Sequence, residues 1–174
     1  KNFNIMEANS ATDILKKAII MEHRGKALYT QVAEQTASED VAKIFRIMAD
    51  EEQLHIDFLQ KQLTNYQKSG QFDQLELEKA RAGDEAIAEM ILTDNIRKEI
   101  SGAGFESAAI SAAIDMETKS IEVYQNRAQE ATDPNEKALF NWLADWEKGH
   151  HKMLVDLNQQ LTEQIWHDNN FWPF

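Results

Sequence analysis

Six residues carry the chemistry this chain can do. Glu52–His55 and Glu147–His150 are two Glu-x-x-His motifs 95 residues apart, and each has a lone glutamate 30 residues upstream, at Glu22 and Glu117. On a helix, residues three apart share a face one turn apart, so each motif presents a carboxylate and an imidazole together. Four carboxylates and two imidazoles suit a pair of borderline transition ions, with oxygen bridging between them and nitrogen at the ends. One such motif is a common accident in a chain with 30 acidic residues. Two in register, each with its own glutamate, are not, because a solvated helix face needs no such register.

The repeat extends beyond these residues. At the same offset of 95, Ala18, Ile19, Met21, Glu22, Tyr29 and Ala33 recur as Ala113, Ile114, Met116, Glu117, Tyr124 and Ala128. Phe45, Ala49, Asp50, Glu52, His55 and Leu59 recur as Phe140, Ala144, Asp145, Glu147, His150 and Leu154, with no gap across residues 18 to 59. Two copies are too few for a solenoid, so a domain with a pseudo-two-fold axis is expected.

Helices must position these residues. Apolar residues recur with a 3.6-residue period, six glycines and two prolines are few, and alternating strand patterns are absent, which together imply an all-helical fold. Helix 1 is expected from Ala11 to Thr36. Ser38 reads as the N-cap of helix 2, and Gly70 as its C-terminal stop. In the second copy Asp133 takes the cap position, Pro134 the first helical position, and Glu136 completes a capping-box pattern. Glu22 lies 16 residues before Ser38 and Glu52 lies 14 after it. At 1.5 Å rise these are ~24 Å and ~21 Å from the turn, so an antiparallel hairpin holds them at one level. Glu117 and Glu147 stand at the same distances from Asp133. Face-to-face packing of the hairpins then brings all six residues together.

The 34 residues between Gly70 and Phe105 exceed a tight helix–helix turn. They suffice to traverse a bundle ~40 Å long, with Leu75, Leu77, Ile87, Met90, Ile91, Leu92, Ile96 and Ile100 suggesting short helices packed outside. The expected architecture is an all-α four-helix bundle made of two repeated hairpins joined by this crossover. Residues 11–69 form the first helix pair, 70–105 the crossover, 106–164 the second pair and 165–174 an aromatic tail, all within one domain spanning 1–174.

Composition narrows the function classes. With 174 residues and 43% apolar content, a single domain with a sizeable core is expected. A net charge of −12 argues against a nucleic-acid partner, since phosphate binding needs clustered Lys and Arg. Zero cysteines exclude disulfides, thiolate zinc sites and a rubredoxin-like iron centre within these residues. Their absence fits a reducing compartment, and a cytoplasmic location is expected. No apolar run approaches transmembrane length, and no signal-peptide pattern is visible, so no membrane association is expected. The start at Lys1 rather than Met leaves room for a removed leader.

The segments Ala18-Ile-Ile-Met-Glu22 … Tyr29 and Ala49-Asp-Glu-Glu52-Gln-Leu-His55, with their repeats, resemble the rubrerythrin branch of the ferritin-like superfamily over nearly all of residues 11 to 160. The resemblance implies a non-haem di-iron site and redox chemistry with peroxide or dioxygen. Two departures stand out. Typical rubrerythrins carry a C-terminal rubredoxin domain with four cysteines, whereas this chain ends at Phe174 with none. They also carry a seventh carboxylate one turn along from the lone glutamate of helix 3, where this chain has Ser120. Turnover would therefore require an external donor such as a rubredoxin or a flavoprotein.

By the symmetry of the repeat, Glu52 and Glu147 would bridge the ions, with Glu22 and His55, and Glu117 and His150, as terminal sets. Manganese or a mixed pair suits the same ligands as two irons. Tyr29 and Tyr124 lie two turns from Glu22 and Glu117. The resemblance suggests that they hydrogen-bond to the ligands or donate electrons, while a core role with a satisfied hydroxyl explains them equally. Gly25 and Ser120 leave room for an oxidant or simply allow close helix packing. Glu51 either orients an imidazole across the bundle or is plain surface charge. The repeat places Trp146 at its position, so the two metal environments would differ. His23 and His151 point away from their neighbouring ligands and read as surface residues. The tail from Trp166 to Phe174 docks on the bundle or on a partner subunit, since exposed aromatics invite association; a homodimer is expected.

The expected function is a di-iron oxidoreductase that reduces peroxide or dioxygen. Iron oxidation and storage, or a ferritin-like scaffold that binds metal or a partner without turnover, are the alternatives.

Overall fold

The computed structural model describes residues 11–74 and 104–168. Four helices account for nearly all of them, and there is no strand among the described residues. They are α1 (Ala11–Gln35), α2 (Glu39–Ser69), α3 (Phe105–Glu130) and α4 (Pro134–Asp168). The expected crossover helices and the last residues of the aromatic tail lie outside the described residues.

Local sequence sets the helix ends. Ser38 is extended, and its hydroxyl accepts from the Val41 amide at 3.2 Å, satisfying one of the donors a helix start leaves orphaned. Gly70 closes α2 in the left-handed region at φ 70°, its amide donating to Tyr66 O at 2.8 Å. A side chain there would be strained, which is why glycine stands at this stop. Asp133 Oδ1 accepts from the amides of Asn135 at 2.8 Å and Glu136 at 3.4 Å. The Glu136 carboxylate, expected to fold back within a capping box, instead accepts from Arg127 Nε at 2.7 Å. It thereby ties the end of α3 to the start of α4. Helix α4 runs to Asp168, beyond the expected end of the second helix pair at 164; it passes through Gly149, and the sequence holds no further glycine or proline before Pro173.

The hairpins pack α1 along α2 and α3 along α4, and α1 meets α3 across the bundle. Their buried faces form two apolar clusters. One comprises Tyr29, Val32, Ile44, Phe45, Met48, Ile110 and Leu154 among others. The other includes Leu15, Ala18, Leu59, Tyr124, Leu139, Phe140 and Leu143. Burying a Leu or Phe side chain contributes about 1.5–3 kcal/mol, so these clusters hold the bundle closed at both ends. Phe72, just past α2, belongs to the second cluster, and its carbonyl accepts from Asn135 Nδ2 at 3.1 Å. Between the clusters lies a polar layer, and the cost of burying it needs a reason.

Candidate metal centre

That layer contains Glu22 on α1, Glu52 and His55 on α2, Glu117 on α3, and Glu147 and His150 on α4, all at most 3% exposed. They fall into two groups, Glu22, Glu52, His55 and Glu147, and Glu52, Glu117, Glu147 and His150. Within each group the candidate ligand atoms lie within 4.8 Å of one another. Glu52 and Glu147 belong to both, and every other member belongs to one.

The imidazoles turn the same nitrogen inward. His55 Nδ1 lies 3.0 Å from Glu22 Oε2, 3.1 Å from Glu147 Oε1 and 3.4 Å from Glu52 Oε2. His150 Nδ1 lies 3.2 Å from Glu147 Oε2, 3.5 Å from Glu52 Oε1 and 3.6 Å from Glu117 Oε1. The ring centroids are 6.2 Å apart. Proximity is not satisfaction, however: both Glu147 oxygens and His150 Nδ1 are buried without a hydrogen bond of acceptable angle.

Each tyrosine reaches across to the other hairpin. Tyr29 on α1 donates its hydroxyl to Glu117 Oε1 on α3, and Tyr124 on α3 donates to Glu22 Oε1 on α1. Both rings are fully buried, so the core and hydrogen-bonding roles hold together. Burial, then the neighbouring carboxylates (Glu117 for Tyr29, Glu22 for Tyr124), pushes both phenols well above their usual range, so they remain donors at neutral pH.

Glu51, weighed against plain surface charge, is 4% exposed and accepts from His150 Nε2 at 2.7 Å. Its carboxylate therefore meets an imidazole of the other hairpin rather than solvent. At the repeat-related position Trp146 packs edge-on to His55 at 5.4 Å. Trp142 packs against the same ring at the same distance, 5.4 Å. Trp142 lies one turn before Trp146 and is not marked by the 95-residue repeat. At Gly25 a Cβ would stand 3.2 Å from Glu52 Cδ and Oε1 and 3.4 Å from Met116 Cε, so the missing side chain lets the helices pack closely and makes room for the Glu52 carboxylate. Ser120 is buried. His23 is exposed and His151 half-buried.

Electrostatics show what the layer lacks. Burial, then the charge on Glu147, raises Glu117 to about 8 and Glu52 well above the carboxylate range. Burial also pushes Glu147 up, but His55 and His150 outweigh it and hold that carboxyl below the usual range. Both imidazoles are raised: burial opposes their charge, and the surrounding carboxylates overcome it. Protons thus stand in for cations, since four buried carboxylates cannot all be charged without compensation. Two divalent ions would balance four negative charges. The donor set, the two overlapping groups and the orphaned oxygens of Glu147 all fit such a pair.

The class of protein follows from this bundle and layer: a four-helix carboxylate protein with a buried Glu/His cluster of a composition that can hold metal ions. The rubrerythrin family profile matches residues 13–158, and the chain belongs to that family. No curated protein and no solved structure matches the chain. No described helix is long and apolar enough to cross a membrane.

Proposed function

We propose that the chain is a non-haem di-iron oxidoreductase that reduces peroxide or dioxygen with electrons from an external donor. The observation that carries this reading is the pair of buried four-residue groups sharing Glu52 and Glu147. In this reading those two glutamates would serve both ions, Glu22 and His55 would help hold one, and Glu117 and His150 the other. A reduced iron pair held by these residues would supply the two electrons the oxidant takes up. The chain's residues supply the setting. The apolar clusters on either side exclude bulk water, which strengthens every charge interaction in the layer. The Tyr29 and Tyr124 hydroxyls hold the terminal glutamates in place from the opposite hairpin. With their phenol protons retained at neutral pH, they remain donors to those carboxylates. These 174 residues hold no cysteine and so no thiolate-bound iron relay, and the electrons come from an external donor such as a rubredoxin or a flavoprotein.

Stopped-flow mixing of the ferrous-loaded protein with peroxide tests the proposal. The expected result is one oxidation of the site and then arrest, with cycling restored by excess reduced donor. Many turnovers without any reductant would overturn it in favour of disproportionation, with manganese the metal to examine. Uptake of iron far beyond about two ions per chain would overturn it in favour of storage.

A further inference from the structure

The two halves of the cluster are not equivalent, and the difference sits behind the imidazoles. Glu51 and Trp146 occupy the same place in the repeat, each one residue before a shared glutamate. Behind His150, Glu51 Oε2 accepts the Nε2 proton at 2.7 Å. That bond fixes the tautomer, leaves the Nδ1 lone pair pointing into the cluster, and makes the ring a better donor through the adjacent negative charge. Behind His55 no described residue supplies such an acceptor. Its Nε2 is buried without a hydrogen bond, and the ring packs T-shaped against Trp142 and Trp146. The hydrogen bond His55 does make runs from its inward Nδ1 to Glu22 Oε2 at 3.0 Å, so that nitrogen must exchange this partner when a metal arrives, and the N–H left at Nε2 remains unpaired afterwards.

Burying Glu51 is costly in its own right. Its second oxygen, Oε1, is buried with no hydrogen-bond partner, and a buried carboxylate destabilises a fold unless something positive compensates it. The His150 ring provides that compensation, more fully when the ring's other nitrogen binds a cation.

Resting on the reading that the cluster holds two ions, we propose that Glu51 is a positioning residue. It makes the Glu117/His150 half the tighter of two unequal sites, so that the metal fills that half first. Carboxylates behind metal-binding imidazoles are worth roughly 10–100-fold in affinity, and that is the gap expected between the halves.

The experiment uses the full chain and manganese(II) as the probe. Crystals grown with one equivalent should show the anomalous scattering peak beside His150, with the His55 half filling only as manganese rises. In solution, calorimetric titration should resolve two steps. Glu51→Gln keeps a neutral acceptor and should weaken the tight step several-fold; Glu51→Leu should weaken it by roughly 10–100-fold, leaving the second step unchanged. Trp146→Gln, which offers His55 an acceptor, should strengthen the weak step. Circular dichroism establishes that each variant keeps its helices. Equal occupancy of both halves at one equivalent, or first filling beside His55, would overturn the inference while leaving a two-ion cluster intact. Two unchanged steps in folded Glu51→Leu would also overturn it. Absence of any bound manganese, zinc or iron in the wild type would instead remove the two-ion reading on which it rests.

Discussion

The two halves of the polar layer share a sequence pattern and differ in what surrounds it. Tyr29 stands 5.9 Å from Phe45 at 42°, and its counterpart Tyr124 stands 5.9 Å from Phe140 at 40°. Each tyrosine donates to the glutamate of the opposite hairpin. In front of the imidazoles the repeat is therefore nearly a true two-fold. Behind them it breaks: Glu51 faces His150, while Trp146 and Trp142 face His55. The lesson is that residues reaching both halves stay symmetric because a change in either would disturb the whole cluster. Residues serving one imidazole are free to diverge.

The sharpest way to break the symmetry is at a shared residue. Glu52→Ala or Glu147→Ala should lower metal content from about two ions per chain to near zero, because each carboxylate serves both groups. Glu22→Ala, which belongs to one group, should remove about one. Elemental analysis of reconstituted, folded protein reads both outcomes, and equal losses would contradict the division into shared and terminal members.

Metal linkage should come next in size. Saturation a thousandfold above Kd stabilises the bundle by about 4 kcal/mol, roughly 8–16 °C in Tm for a chain of this length. The pH dependence should reverse between the two forms. Without metal, Glu117 holds its proton up to about 8 when folded and releases it near 4.5 when unfolded. Its contribution is present below 4.5 and is lost as pH rises toward 8. The raised imidazoles act in the same direction, favouring the folded state at low pH and losing that contribution as pH rises through their folded values. Glu147 acts oppositely, its contribution being lost as pH falls below the usual carboxylate range. Metal-free protein should therefore melt at progressively lower temperature from about pH 5 to pH 8. The increment from added metal should grow over the same range, because metal displaces those protons. Parallel melting profiles with and without metal would contradict the assignment.

A smaller effect tests the symmetric side of the comparison. Tyr29→Phe and Tyr124→Phe each remove a buried hydroxyl bonded to a carboxylate, at about 1.5–3 kcal/mol. Chemical denaturation should find the two losses equal within error, as their matched geometry requires. The smallest expected effect is at Gly25. Replacing it with alanine gains about 1 kcal/mol of helix propensity, but the new Cβ presses on the Glu52 carboxylate. Global stability should change little, while metal affinity falls in both halves together because Glu52 is shared. A change confined to one half would count against a shared Glu52.

Much of this layout was legible from residue types and spacing. The helix boundaries at Ser38, Gly70 and Asp133 follow from backbone chemistry that acts within four residues, so local sequence suffices to find them. The cluster could be read because the 95-residue repeat doubles every signal and because distances from the two caps place four glutamates at one height. What escaped was set by cross-bundle packing. Glu136 matched a capping box, yet Arg127 lies within reach and holds its carboxylate with a charged partner. Gly25 looked like generic room, whereas its role depends on where the Glu52 side chain arrives from α2. Trp142 falls outside the repeat, its counterpart being Ile47, so periodicity gave no reason to look there. Glu51 could be placed on the right face but not paired, since a partner on another helix leaves no mark in local spacing.

The crossed tyrosine bonds carry a consequence about origin. Tyr29 serves the glutamate of the second hairpin and Tyr124 that of the first, so neither hairpin completes its own half of the layer. Contacts in which residue i meets residue j and j meets i are the mark of a two-fold pairing of identical units. A single ancestral hairpin, pairing with a second copy of itself, would have satisfied both bonds before the two copies differed at any position. Within one chain each copy can change alone, as the glutamate behind one imidazole and the tryptophan behind the other do.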